Sequence, residues 1–135
     1  MDKKIINPSV IKINYSLVIP CYNESGNLVS LVDRCNYLLN EKEDIEVVIV
    51  DNGSTDDTSV VLKDLLKNFQ KERLRSVRVE NNKGYGNGIL VGLDECKGSI
   101  LGWTHADLQA DPVDFLKAIS LISQSKDSNR VFSKG

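Results

Sequence analysis

The chain has 135 residues, 41% hydrophobic and 27% charged, which suits a single globular domain with its own core. A formal net charge of −2, with Lys and Arg scattered along the chain, argues against nucleic acid as a main partner. Cys21, Cys35 and Cys96 sit in apolar stretches at no metal-like spacing, so they read as reduced core thiols of a cytosolic setting and argue against a zinc site.

Residues 1–14 read as an N-terminal extension and residues 15–135 as the domain. The opening M-D-K-K-I-I-N-P is too poor in apolar residues for a signal peptide, and no apolar run approaches the roughly 18 residues of a membrane span. A cytoplasmic location is expected, with peripheral contact to a membrane surface left open. Leu17 to Ile19 is an apolar strand that runs into Pro20, Tyr22, Asn23 and Glu24. Leu28, Leu31, Val32, Cys35, Leu38 and Leu39 follow the spacing of a helix with one buried face. Glu46 to Val50 is short, β-branched and continuous, as in a strand covered on both faces, and it stops at Asp51.

Ser54 and Asp57 resemble a capping box ahead of a second helix carrying Leu62, Leu65, Leu66 and Phe69. Ser76 to Val79 is a weaker strand. Asn81 to Gly88, N-N-K-G-Y-G-N-G, is a loop by composition, and Ile89, Leu90, Leu93 and Cys96 form a short helix ending near Gly98. Ile100 to Thr104 reads as a buried strand with Trp103 in the core, and it delivers Asp107 and Gln109 to the following loop. Asp111 as N-cap with Pro112 at the first helical position opens a fourth helix, which turns Phe115, Leu116, Ile119 and Ile122 inward. Ser123 to Arg130 is polar loop, and Val131 and Phe132 begin a further strand with no room to finish, as in a truncated domain.

Strand and helix in strict alternation with short connections predict an α/β fold. Its sheet is mostly parallel and forms a three-layer sandwich with helices on both faces. In such folds ligands gather beyond the carboxyl ends of the strands. Asp51 and Asp107 are expected at the ends of two neighbouring strands. One carboxylate there can accept from a base edge while the other holds a hard divalent cation against phosphates, with the Gln109 carbonyl assisting.

The glycine-rich loop does not carry the dinucleotide fingerprint. A start at Gly84 meets Ile89, and a start at Gly86 meets Val91, where a small residue is required. No phosphate-binding P-loop sequence occurs either. Two readings of the loop stay open: a backbone-exposing turn at a helix N-terminus, with Lys83 beside it, that attracts an anion, and a plain connection with Lys83 in solvent. Single histidines are more often packed structural residues than ligands, and His105, the only one, has both readings open. Tyr22 can lie along a base or sugar, or pack over the sheet edge.

Four blocks carry a resemblance. S-L-V-I-P-C-Y-N-E (Ser16 to Glu24), V-I-V-D-N-G-S-T-D-D-T (Val48 to Thr58), N-K-G-Y-G-N-G (Asn82 to Gly88) and H-A-D-L-Q-A-D-P (His105 to Pro112) together resemble family 2 glycosyltransferases of the GT-A fold. They look most like the dolichol-phosphate-mannose synthase and polyprenyl-phosphate glycosyltransferase branch. The resemblance implies transfer of a sugar from a UDP- or GDP-linked donor, with inversion, to a polyprenyl phosphate or a growing polysaccharide. It implies a nucleoside pocket at Pro20, Tyr22, Glu24 and Asp51, with Lys83, His105, Ala106 and Asp107 along the rest of the donor. It also implies a cation, Mg2+ or Mn2+, on Asp107, Gln109 and His105, which makes Asp107 the catalytic candidate through the charge it anchors.

Two departures from the family pattern stand out. His105 occupies the place of the first acid of the metal motif D-A-D-L-Q, and an imidazole there favours Mn2+ over Mg2+. The acceptor-binding part is absent from the blocks, and no catalytic base is evident. Binding of a nucleotide sugar without transfer is therefore the alternative expectation. A phospho-accepting or structural α/β domain is disfavoured, because the Lys on a late strand that a receiver-like site needs is missing.

Overall fold

The computed structural model describes residues 11–124. Four strands, β1 (Tyr15–Cys21), β2 (Ile45–Asn52), β3 (Leu74–Val79) and β4 (Ile100–Trp103), pair in the order β3-β2-β1-β4. Every pair is parallel. The four helices are α1 (Leu28–Glu41), α2 (Thr58–Leu66), α3 (Tyr85–Asp94) and α4 (Phe115–Gln124). The expectations for the N-terminal extension and for a strand at Val131 and Phe132 lie outside the described residues.

Because strand side chains alternate between faces, β1 and β2 supply two separate cores. Leu17, Ile19, Ile45, Val47 and Ile49 join the apolar stripe of α1, with Leu62 and Leu66 of α2 and Ile119 of α4. On the other face Val18, Val48 and Val50 meet Leu93 and Cys96 at the end of α3. All six helical positions predicted for α1, from Leu28 to Leu39, are buried, and β2 is buried along its whole length. The three layers expected from the alternation are present.

The face α3 turns to the sheet is made of glycine rather than of the large residues singled out in the sequence. Gly88 and Gly92 are its buried positions, and a Cβ at Gly92 would stand 2.4 Å from Val18 Cγ1 and 2.8 Å from Val50 Cγ2. Leu90 is 66% exposed. Contact this close is open only to a residue without a side chain, and it sets the N-terminus of α3 against the end of β2.

At the opposite end of the sheet Glu46 is fully buried, although its strand reads as apolar. Arg75 Nη2 lies 3.0 Å from its carboxylate, the Lys97 N–H donates at 3.4 Å, and Ser16 Oγ accepts from the Gly98 N–H at 2.9 Å. The group ties the end of α3 to the start of the sheet, and the partners compensate the cost of burying the charge.

Several boundaries differ from expectation. β3 begins at Leu74, two residues before the predicted strand, and Phe69 packs on the core beyond the end of α2. α3 starts at Tyr85, inside the segment read as loop, and α4 runs through Ser123 and Gln124. No capping box forms: Asp57 makes no side-chain cap, and the Thr58 N–H donates to Asp56 Oδ1 at 2.8 Å. Ser54 serves the neighbouring loop instead. Trp103 is not core. It is 48% exposed and Leu101 46%, because among the described residues β4 pairs on one side only, with β1. A short apolar run looks the same in a central strand and in an edge strand.

The Asp111 cap is present. Its carboxylate accepts from the Val113 N–H at 3.0 Å with Pro112 at the start of a 3-10 turn leading into α4. The same carboxylate takes a forked pair from Arg34 of α1, at 3.2 and 2.8 Å, which fastens the segment after the Asp107 loop to the helical layer.

Candidate functional site

Parallel pairing sends every strand's carboxyl end to one rim. Cys21, Asp51 and Arg78 stand side by side across β1, β2 and β3, while β4 flanks β1 on its other side, with Trp103 opposite Val18. The Thr104 N–H continues the ladder to the Val18 carbonyl at 3.0 Å. Asp51 and the loop bearing Asp107 therefore share this rim, but their strands are not neighbours as expected: β1 pairs between them and sets them two interstrand steps, about 10 Å, apart.

The first wall is the turn after β1. Pro20 is buried, Tyr22 is 44% exposed, and Asn23 takes a left-handed conformation at φ 52°, which its short polar side chain tolerates. Asn23 Oδ1 accepts from the N–H groups of Thr55 and Asp56 at 2.8 and 3.2 Å, and the Asn23 N–H donates to Ser54 Oγ at 3.0 Å. The Glu24 N–H donates to Thr58 Oγ1 at 3.0 Å, and its carboxylate accepts from Asn27 at 2.7 Å. These bonds join the β1 and β2 loops into one frame that holds Tyr22 and Glu24 at the rim. Cys21, beneath them, has its thiol pushed up to about 12 by burial and by the charges of Asp51, Glu24 and Asp56, so it stays protonated and unreactive.

Asp51 is 2% exposed. Its Oδ1 accepts from the Ser54 N–H at 3.1 Å and its Oδ2 from Arg78 Nη1 at 2.7 Å. Each carboxylate oxygen keeps a second acceptor direction, so a donor on a ligand can still be received. Asn52, next in the strand, donates from Nδ2 to the Gly84 carbonyl at 3.1 Å. Its Oδ1 is buried and without a partner among the described residues.

The second wall follows β4. Ala106 is 4% exposed and packs into the core, whereas His105, Asp107 and Gln109 are exposed. These residues lie in the turn that follows β4, and the buried Ala106 anchors the turn to the core. Leu108 is left-handed at φ 64°, and Asp107 Oδ1 accepts from the Gln109 N–H at 3.1 Å, a tight side-chain turn. His105 stacks on Tyr85, the first residue of α3, with ring centroids 5.2 Å apart and planes at 14°. The Tyr85 hydroxyl lies 3.1 Å from His105 Nδ1. Burial and the Asp107 charge push the Tyr85 phenol above its ordinary range.

Between the walls lies the segment from Asn81 to Gly88. Gly84 is at φ 104°, a conformation largely reserved for glycine, and its N–H donates to Asn82 Oδ1 at 2.7 Å. No side chain caps α3, so its first N–H groups face the rim beside the exposed Lys83, the arrangement that attracts anions.

Pro20, Tyr22, Glu24, Asp51, His105, Ala106, Asp107 and Gln109 thus fall along one rim, with Lys83 on the loop beside it. Arg78, Asn52 and Tyr85 are the additions that sequence reasoning missed, while Asn23, read only as a polar residue after the first strand, proves to bridge two loops. Arg78 was findable only from the register that pairs it with Asp51, and Tyr85 was hidden in a segment whose glycines read as loop.

An α/β domain with a polar rim of this kind is one built to hold a ligand at its strand ends. Residues 16–132 match glycosyl transferase family 2, and the chain belongs to that family. The undecaprenyl-phosphate 4-deoxy-4-formamido-L-arabinose transferase of Pseudomonas savastanoi pv. phaseolicola is 33% identical over 118 residues, which is 83% of this chain and 33% of the relative. The protein of the same name from Proteus mirabilis is 28% identical over 86% of this chain and 36% of its own length. The chain therefore spans about a third of the curated relatives it matches. Among solved structures, the mannosyltransferase PcManGT of Pyrobaculum calidifontis, in complex with GDP-Man and Mn2+, superposes with a TM-score of 0.66 at 22% identity, covering 86% of this chain and 34% of that one. S. aureus TarS 1-349 in complex with UDP-GlcNAc gives 0.62 at 23% identity over 82% and 31%. These likenesses establish the GT-A fold.

Proposed function

We propose that residues 15–135 form the donor-binding part of a glycosyltransferase that moves a sugar from a nucleotide diphosphate to an acceptor, a polyprenyl phosphate or a growing polysaccharide. The observation that carries this reading is the single carboxyl-end rim shared by Asp51 and the loop that bears the exposed His105, Asp107 and Gln109. The names of the relatives, which include an undecaprenyl phosphate acceptor, and the donors bound by the structural neighbours support it.

In this reading Pro20, Tyr22 and Glu24 border the nucleoside, Asp51 accepts from a base N–H, and Arg78 offers its guanidinium to a carbonyl beside it. Lys83 and the open N-terminus of α3 draw the diphosphate by charge. An acceptor oxygen attacks the anomeric carbon as the bond to the nucleoside diphosphate breaks. A phosphate acceptor is already ionised at neutral pH and needs little base assistance. The site lies on a chain in which no described helix is long and apolar enough to cross a membrane, and action from the cytoplasmic side on a lipid-borne acceptor is the setting we propose.

A divalent cation fits the donor set. Among the described residues no three His, Cys, Asp or Glu side chains cluster as a metal site, but Asp107, the Gln109 carbonyl and the His105 imidazole supply two hard oxygens and one nitrogen. That mixture suits Mn2+ better than Mg2+. When bound, such a cation stabilises the charge that develops on the leaving diphosphate.

The test is a melting-temperature titration with UDP- and GDP-sugars, with and without Mn2+, followed by an assay for sugar transfer to undecaprenyl phosphate. A donor at 100 times its Kd stabilises the fold by about 2.7 kcal/mol. No shift with any nucleotide sugar overturns the reading. A shift without transfer selects the second reading, a nucleotide-sugar-binding module, which the limited span against the relatives keeps in view.

A further inference from the structure

The two edges of the sheet end differently. β3 carries Arg75 and Arg78, held by Glu46 and Asp51, and charge along an edge strand discourages pairing with another chain. β4 carries none: it reads I-L-G-W. Leu101 and Trp103 register with Ser16 and Val18 of β1, on the face where α3 packs over β1 and β2, and both remain half-exposed. On the other face Phe115 closes over Gly102, where a Cβ would stand 2.8 Å from its ring. A groove of about 740 Å3 runs between this edge and α4, with the exposed Leu121 along it.

Topology decides what kind of strand this edge accepts. The crossovers through α1 and α2 lie on one face and step from β1 toward β3, while the crossover through α3 lies on the other face and steps back to β4. α4 lies on the α1 face. A parallel strand reached through α4 and set beside β4 would therefore close a left-handed crossover, against a right-handed rule that holds in about 98% of cases. An antiparallel strand meets no such restriction, and a second copy of the same edge supplies one. A two-fold axis normal to the sheet sets β4 against β4 in opposite directions, equal in length and matched in hydrogen-bonding groups. The charges suit the same pairing. Asp114 and Lys117 line the groove, exposed and 3.8 Å apart, so a two-fold axis brings a carboxylate toward an ammonium on both sides. The Asp111 carboxylate is already taken by Arg34.

We propose that the β4 edge and the α4 groove are the interface of a homodimer, in which two copies pair β4 antiparallel, share one continuous sheet and cover Leu101, Trp103 and Leu121. The charged β3 edges end the assembly at two copies instead of a fibre. The groove reaches His105, so the partner copy stands next to the candidate site. The pairing itself does not rest on the proposed function.

Trp103 is the only tryptophan, so its emission reads this edge alone. Sedimentation of the full chain over a wide concentration range should show a monomer–dimer equilibrium. Trp103 emission should move to shorter wavelength, and resist acrylamide, in step with the doubled mass. Leu101→Lys puts a charge on the edge and should give a monomer with parent circular dichroism and Trp103 open at every concentration. Lys117→Asp should weaken the dimer several-fold through like charge, and Asp114→Lys together with Lys117→Asp should restore it. A monomer at every concentration overturns the proposal: an exposed Trp103 then means an unoccupied edge, and a shielded one means that residues outside 11–124 of the same chain cover it. A dimer that survives Leu101→Lys unweakened overturns it too, because the contact then lies elsewhere. So does a Trp103 shift that needs added phosphatidylglycerol vesicles, which would give the groove to lipid. If Leu101→Lys does not fold, the parent chain and the charge exchange decide.

Discussion

Arg78 clamps Asp51 at the end of β2: Nη1 lies 2.7 Å from Oδ2, and Nη2 donates to the Ser54 carbonyl at 3.3 Å. The guanidinium thus spans a buried carboxylate and the first turn of the loop that follows it. Arg78→Ala leaves the Asp51 charge, 3% exposed in its side chain, without its cation. Breaking a buried pair from one side costs several kcal/mol, and because Arg78 is itself 35% exposed we expect a loss of about 2–3 kcal/mol in urea denaturation. A midpoint equal to the parent's would show that the clamp is dispensable.

Asp107→Asn separates binding from stability. Asn keeps the oxygen that accepts from the Gln109 N–H and the exposed position tolerates the change, so stability should stay within about 0.5 kcal/mol of the parent. The Mn2+-dependent part of any nucleotide-sugar melting shift should disappear, because the anionic ligand is gone. An undiminished Mn2+ effect would move the cation elsewhere.

The glycines of α3 make opposite predictions. Gly92→Ala inserts a methyl group where Val18 and Val50 stand at 2.4 and 2.8 Å, and overpacking should destabilise by about 1–3 kcal/mol despite the better helix former. Gly86 has nothing within 4 Å of its added Cβ, so Gly86→Ala should stabilise by about 0.5–1 kcal/mol. Thermal melts of the two variants decide it, and equal signs would contradict the packing described.

Acid stability should depend on Asp111. The hydrogen bond from Arg34, joined by that from the Val113 backbone, holds this carboxyl below the ordinary value of 3.8. A depressed folded value means that its contribution is present above about pH 4 and is lost as pH falls through the folded value. Asp111→Asn should therefore flatten the stability curve on its acid side while preserving the cap. Asp111→Ala should remove the cap as well, at about 1 kcal/mol. Stability against pH, measured for both, would show no separation if the Arg34 pair were idle.

Much of the architecture was legible because local periodicity is a local property. The stripe from Leu28 to Leu39 and the β-branched run before Asp51 reflect how a helix or a buried strand must present apolar groups, and both elements formed where expected. Trp103 shows the limit. Its run of apolar neighbours says strand, but whether another strand covers that edge depends on chain far from it, and here it is half exposed.

For the candidate site, the chain by itself determined which polar residues follow the apolar strands, since Asp51 comes directly after one such run and His105, Asp107 and Gln109 come in the loop after another. Tertiary structure alone decided their partners: Arg78 against Asp51 through register, Asn23 across to Thr55 and Asp56, and Tyr85 onto His105 through a helix docked on glycines. The division has a physical reason. Periodicity and capping act over a few bonds and are written in neighbouring residues, whereas a hydrogen bond between separate elements exists only once packing has brought their ends within about 3 Å.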